Sequence, residues 1–179
     1  MNAPRARSRR ASLQFQHEAL EQVPVRIGEV KVASGSSVLF TIGLGSCVAI
    51  ALFDDRARVG GLAHAMLPRP ERGHRTAPPG RFVTTAMPVL LDMLEREGAV
   101  RSRLRARLAG GASMFQAVLE GEGLRLGRRN VEAAQEALAA AGVPVDGVDV
   151  HGTHGRSVFL RTSDGTLLVT SVSNEDVYL

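Results

Sequence analysis

Seven consecutive apolar residues, Cys47-Val-Ala-Ile-Ala-Leu-Phe53, constrain this chain more than any other stretch. A strand that is apolar at every position is buried on both faces, so the fold must cover it from two sides. Asp54-Asp-Arg-Ala-Arg58 is polar and turn-like, and Val59 to Leu67 is a second apolar run, stopped by Pro68. The two runs read as a hairpin. A turn centred between Asp55 and Arg56 sets Cys47 directly opposite His64, with Cβ atoms roughly 4.5–5.5 Å apart on one face. A slip of one residue would send them to opposite faces.

The remaining elements follow from periodicity. Val25, Ile27, Val30 and Val32 alternate with polar residues, with a break at Gly28-Glu29, and predict a strand or a bulged pair of strands. Ser34 to Ser37 is a turn, and Val38 to Ile42 is a strand that ends in glycines. Val83, Ala86, Met87, Leu90, Met93 and Leu94 form a helical stripe. Pro88 fits that helix only if it starts near Thr84 or Thr85. Arg101 to Ala109 has period two and predicts a strand with Arg103, Arg105 and Arg107 on one face, either solvated or docking an acidic partner. Asn130 reads as the N-cap of a helix over 130–141, closed by Gly142 and Pro144. Strands are expected at 145–150, 156–161 and 166–172, with Asp164-Gly165 as a hairpin turn. The pattern is α+β: a mixed, largely antiparallel sheet and two main helices in a layered α/β sandwich. Residues 1–22 read as a basic, disordered tail, with a short helix over 13–22, and residues 23–179 as one domain.

The net charge of +4 suggests nucleic acid until it is located. Without Arg5, Arg7, Arg9 and Arg10 the 22 basic residues fall to 18, equal to the 18 acidic ones. The body is neutral, and no nucleic-acid partner is expected. No run approaches the roughly 18–20 apolar residues of a membrane helix. The N-terminus lacks the apolar region of a secretory signal. A single cysteine excludes an internal disulfide and suits a reducing, cytoplasmic compartment.

That cysteine ends the stretch Thr41-Ile-Gly-Leu-Gly-Ser-Cys47. A cysteine and a histidine brought together by folding are the minimum parts for thiol attack on an acyl group. Cys47 is the candidate nucleophile, and backbone N–H groups at Gly45 and Ser46 are candidates for holding an oxyanion. His64 is the candidate base and acid, its imidazolium lowering the thiol pKa and later protonating a leaving amine. Thr41 is placed to fix the ring's tautomer. Each has a plainer reading: a small buried hydrophobe, a satisfied core histidine, a strand-end threonine. Pro68 to Gly80 is an irregular loop beside the pair, of the kind that covers or recognises substrate. His151 and His154 lack a third ligand for a metal. Gly43-Leu-Gly45 lacks the third glycine of a dinucleotide fingerprint, and no Walker pattern occurs, so no cofactor is expected.

Taken together, Thr41-x-Gly-Leu-Gly-Ser-Cys47, Gly60-Gly-Leu-Ala-His64-x-Met-Leu-Pro68, Gly110-Gly-Ala-x-Met-Phe115, Gly127-x-Arg-Asn130 and Gly155-Arg156 resemble the bacterial chemoreceptor glutamine deamidases, CheD. The resemblance implies a cytoplasmic cysteine hydrolase with a layered fold similar to that of certain deamidating toxins. It implies conversion of glutamine side chains on methyl-accepting chemotaxis receptors to glutamate, with Cys47 as nucleophile, His64 as base and acid, and Thr41 orienting His64. In some members a CheC-type phosphatase is a binding partner. This chain departs from the pattern in having His151-Gly152 where the family commonly has Gly-Gly, and Thr84 where an acidic residue is often found. The alternatives are a non-catalytic module that binds a CheC-type phosphatase, and a methylesterase acting on receptor esters.

Overall fold

The computed structural model describes residues 20–70, 77–113, 122–172 and 174–179. The tail at 1–12, most of the helix expected over 13–22, and the middle of the Pro68–Gly80 loop lie outside these residues.

Among the described residues, ten strands form two five-stranded sheets. The first sheet runs β1 (Glu21–Pro24), β3 (Ser37–Leu44), β8 (Arg156–Arg161), β9 (Leu167–Ser171), β10 (Val177–Tyr178). The second runs β2 (Val30–Ser34), β5 (Val59–Ala65), β4 (Val48–Asp54), β6 (Arg105–Gly110), β7 (Val145–Val150). Each holds one parallel pair, β1 with β3 and β6 with β7; the rest is antiparallel. Two helices, α1 (Val83–Arg96) and α2 (Glu122–Ala140), cover the far face of the second sheet.

The layers follow from β4, whose seven residues are all buried. Ala49 and Ala51 face the first sheet, in a core shared with Leu39, Leu62, Val158, Leu160 and Val169. Val48, Ile50 and Leu52 face the helices, among Leu90, Leu94, Val131 and Leu138. The double-sided apolar run thus sits in the middle layer of a sheet–sheet–helix stack, where small residues on one face let the sheets close and larger ones on the other fill the space under the helices. The outer face of the first sheet carries a small patch in which Phe40 and Phe159 stack, ring centroids 5.9 Å apart.

Several boundaries differ from the sequence reading. The single expected sheet is two, because the break at Gly28-Glu29 is a crossover: β1 belongs to one sheet and β2 to the other. β1 begins at Glu21, inside the stretch read as helix. Helix α1 begins at Val83, so Pro88 lies beyond its first turn. Arg101–Arg103 is a 3-10 turn and β6 starts at Arg105, so the arginines do not share one strand face. Arg103 instead pairs with buried Asp54 at 2.8 Å, while Arg105 and Arg107 line a cleft of about 500 Å³. Burial alone would raise the Asp54 carboxyl; the Arg103 guanidinium and the N–H groups of Val100, Ala57 and Arg56 outweigh it and hold it at about 2. That carboxylate ties the β4–β5 turn to the turn before β6.

Candidate active site

The hairpin of β4 and β5 has the expected strands but not the expected register. Val48 pairs with Ala65 and Ala49 with His64, which centres the turn between Arg56 and Ala57. The slip from the expected pairing is two residues. Because side chains alternate with period two, Cys47 and His64 keep the same face and become diagonal neighbours, with Cα atoms on the order of 7–8 Å apart. The face is the one between the sheets, and this is what brings in Thr41 from β3. Its Oγ1 lies 2.7 Å from His64 Nδ1, with both side chains buried. A β-bulge follows directly: the β3–β8 register shifts between Thr41 and Leu44, turning Ile42 out to solvent and leading the chain into the Cys47 turn.

His64 is fully buried, and its other ring nitrogen, Nε2, has no hydrogen-bond partner among the described residues. Burial pushes its pKa down to about 4, so the ring is neutral at pH 7. Its backbone is equally fixed: the carbonyl accepts from Gly28 N–H at 2.8 Å and its N–H donates to the Glu29 carbonyl at 3.1 Å. Cys47 is half-buried and free, and burial pushes its thiol up against a weaker opposing effect of its own backbone N–H. In the resting site, burial and not a neighbouring imidazolium sets the direction of the thiol's shift. Desolvation disfavours the charged form of each group, and the resting pair is thiol and neutral imidazole, not hydrogen-bonded to each other.

The turn that carries Cys47 is held by its carbonyls. Gly45 O accepts from Ala112 N–H at 2.8 Å, Ser46 O from Asn130 Nδ2 at 2.8 Å, and Cys47 O from Gly111 N–H at 2.7 Å. The peptide is planar and trans, so tying the carbonyls of Gly45 and Ser46 to one side aims the N–H groups of Ser46 and Cys47 to the other. Among the described residues the N–H groups of Gly45, Ser46 and Cys47 donate to no other backbone carbonyl. Gly110 is required here. Its φ is +106°, and a Cβ would collide with the Cys47 carbonyl. Gly127 serves the same closeness from α2, where a Cβ would meet the carbonyls of Gly111 and Ala112.

A second brace lies behind this turn. Arg156, buried and aligned with Leu44 across β3–β8, pairs bidentately with Asp149 at 3.1 and 3.0 Å. Its Nη1 donates to the carbonyls of His151 and His154. The 151–155 loop is thereby held against Gly110 and Ser113, through His151 N–H to Gly110 O and Ser113 N–H to Gly152 O, both 2.8 Å. His151 sits in the left-handed region at φ +67°, and the ring of His154 meets Asn174 Nδ2 at 2.9 Å.

Thr41, His64, Cys47, Gly45 and Ser46 are thus brought to one end of the inter-sheet core. Sequence reasoning missed Asn130. Read as an N-cap, it lies within α2, which begins at Glu122, and its amide bonds into the Cys47 turn instead. Gly123 and Gly127 hid the first two turns of that helix.

A half-buried thiol beside an oriented imidazole in a sheet–sheet–helix stack defines a candidate cysteine-hydrolase site. The chain belongs to the CheD family: residues 66–171 match its model, described as CheD chemotactic sensory transduction. It is 43% identical to the probable chemoreceptor glutamine deamidase CheD 2 of Geobacter metallireducens, over 84% of this chain and 93% of that protein. It is 42% identical to the chemoreceptor glutamine deamidase CheD of Thermotoga maritima, over 83% of this chain and 90% of that protein. No helix among the described residues is long and apolar enough to cross a membrane.

Proposed function

We propose that this protein hydrolyses selected glutamine side chains of methyl-accepting chemotaxis receptors to glutamate, releasing ammonia, with Cys47 as nucleophile. The observation that carries the reading is His64: Thr41 holds Nδ1, while buried Nε2 has no partner among the described residues and lies on the face shared with Cys47. With the proton on Nδ1 donated to Thr41 Oγ1, Nε2 offers its lone pair.

The steps follow from two neutral groups. As Sγ attacks the carboxamide carbon, the thiol proton passes to Nε2, so thiolate and imidazolium form only with the substrate in place. The amide oxygen takes the developing charge, facing the N–H groups of Ser46 and Cys47. The imidazolium gives its proton to the departing nitrogen, which leaves as ammonia, and a thioester remains. Water then attacks the thioester, losing a proton to Nε2. Glutamate is released and the thiol is restored. The apo pair is not hydrogen-bonded, and a small rotation of the Cys47 side chain on substrate binding closes the diagonal; catalytic hydrogen bonds commonly tighten only in the complex. The reaction takes place in the cytoplasm, where a lone thiol stays reduced. A CheC-type phosphatase, a binding partner of some members of the family, is a candidate regulatory partner.

The test is ammonia release from a Gln-bearing receptor fragment by wild type, Cys47→Ala and His64→Ala, with a methyl-ester fragment in parallel. Loss in both variants on the amide substrate is expected. Equal rates in all three sink the reading, and turnover of the ester alone points to a methylesterase. The raised thiol pKa favours one second reading, a non-catalytic module that binds a CheC-type phosphatase. Phosphatase binding with no wild-type turnover selects it.

A further inference from the structure

We infer that Asn130 is the positioning residue that sets Cys47 and His64 relative to each other; the inference rests on reading those two as the reacting pair. Asn130 is fully buried, and its Nδ2 donates to two carbonyls, Ser46 O and Met66 O, each at 2.8 Å. Ser46 precedes Cys47, and Met66 lies two residues after His64. The β4–β5 ladder ends at the pair Val48–Ala65. Beyond it the ladder has no further pair, and the amide joins the two carbonyls as a surrogate rung. This one side chain touches both segments.

The orientation of the amide is fixed by its partners. Both contacts are carbonyl oxygens, which accept only, so the NH₂ and not Oδ1 faces them. Oδ1 has no partner among the described residues, although it is buried. An amide that satisfies two backbone carbonyls while leaving its own oxygen unpaired is costly as a mere core residue. A helix interior is also a poor place for Asn. What it does instead is geometric. Holding Ser46 O fixes the Ser46–Cys47 peptide and so the direction of the Cys47 N–H. Holding Met66 O fixes the strand that carries His64. Gly127 lets α2 approach closely enough for the reach, with the Gly111 and Ala112 carbonyls against its Cα.

The two other ties on the turn, Ala112 N–H to Gly45 O and Gly111 N–H to Cys47 O, are backbone bonds from one loop and do not reach the His64 strand. They survive substitution of Asn130. Its loss should leave the turn in place but let the diagonal between thiol and imidazole widen, which weakens the chemical step more than substrate binding.

The experiment compares wild type, Asn130→Ala and Asn130→Ser, each checked for a cooperative thermal melt, by steady-state ammonia release and by the rate of iodoacetamide labelling of Cys47. Asn130→Ala should lower kcat by about 10- to 10²-fold with KM within about twofold, since misplacement of reacting groups acts on the chemical step. Asn130→Ser, which keeps one donor, should fall between. Labelling should change by about threefold or more, because the Ser46–Cys47 peptide loses its tie to Asn130 and the exposure of the thiol shifts with it. If Asn130→Ala does not melt cooperatively, Asn130→Ser decides. A folded variant with kcat and labelling both within twofold of wild type overturns the inference, as does a rise in KM with kcat unchanged. If wild type itself releases no ammonia, the deamidase reading falls, and labelling alone decides: a changed rate upholds the role of Asn130 in placing the thiol, an unchanged one removes it.

Discussion

Thr41→Val removes one oxygen and keeps the β-branched shape, which isolates what that oxygen does for His64. In the wild type it lies 2.7 Å from Nδ1 with both side chains buried, so its loss leaves Nδ1 without its buried partner. Two effects add. The ring loses the acceptor that favours the Nδ1–H tautomer, and a buried unpaired donor costs about 1–3 kcal/mol. Part of the population moves the proton to Nε2, where the ring cannot act as base. The imidazolium formed during attack also loses its hydrogen bond, and bonds to a charged group exceed neutral ones by about 1–2 kcal/mol. At 1.36 kcal/mol per tenfold, the imidazolium loss alone gives roughly 5- to 30-fold in kcat, and with the tautomer shift about 10²-fold. Thr41→Ser keeps the oxygen and should stay within about threefold of wild type. The assay is ammonia release from a receptor fragment at saturating substrate, with melting temperatures recorded for both variants. If Thr41→Val turns over within twofold of wild type, or if Thr41→Ser is as impaired as Thr41→Val, Thr41 does not orient the base.

Other outcomes follow from the charges and the backbone. His64 has a folded pKa of about 4, below its unfolded value of 6.5, so its contribution to stability is full above pH 6.5 and is lost as pH falls towards 4. Between pH 7 and pH 5, urea titrations should show wild type losing about 2 kcal/mol more than His64→Gln; equal losses would mean that the ring is hydrated. Burial raises the Cys47 thiol, so iodoacetamide labelling of the free protein should be slow at pH 7 and climb about tenfold per pH unit up to pH 9. A plateau below pH 8 would instead indicate a preformed thiolate–imidazolium pair. His151 holds a left-handed conformation, and His151→Gly should stabilise the fold by about 0.5–1 kcal/mol in thermal or urea unfolding. A loss of stability would mean that the His151 side chain makes compensating contacts.

How much of this was legible in the sequence depends on the range of the signal. The middle layer was legible because Cys47–Phe53 admits only one kind of environment, and the final three strands because polar turns and alternation bracket them. Helix α2 was misplaced because its deciding contacts are tertiary. Gly127 and Asn130 look like a breaker and a cap in isolation, and they are helical because the Gly111–Ala112 backbone and the carbonyls of Ser46 and Met66 occupy the space beside them. Register was legible only modulo two. Alternation fixes which face a side chain takes but not how far along the ladder it sits, and a polar connection of five residues, Asp54–Arg58, accommodates a turn centred on either side of Arg56.

That two-residue slip carries a functional consequence. Had Cys47 stood directly opposite His64, the pair would meet in the resting protein and favour a thiolate–imidazolium ion pair. Set on the diagonal and desolvated, each group stays neutral, with Nε2 empty and the thiol protonated. On the proposed reading, charge separation waits for the arrival of a carboxamide that can take up the developing negative charge. A thiol kept protonated at rest is a poor target for oxidation and for adventitious electrophiles, since both react with thiolate. On that reading, the geometry expected to slow labelling of the free protein also confines its reactivity to substrate-bound encounters, and the two rates should respond in opposite directions when a substitution merely exposes the thiol.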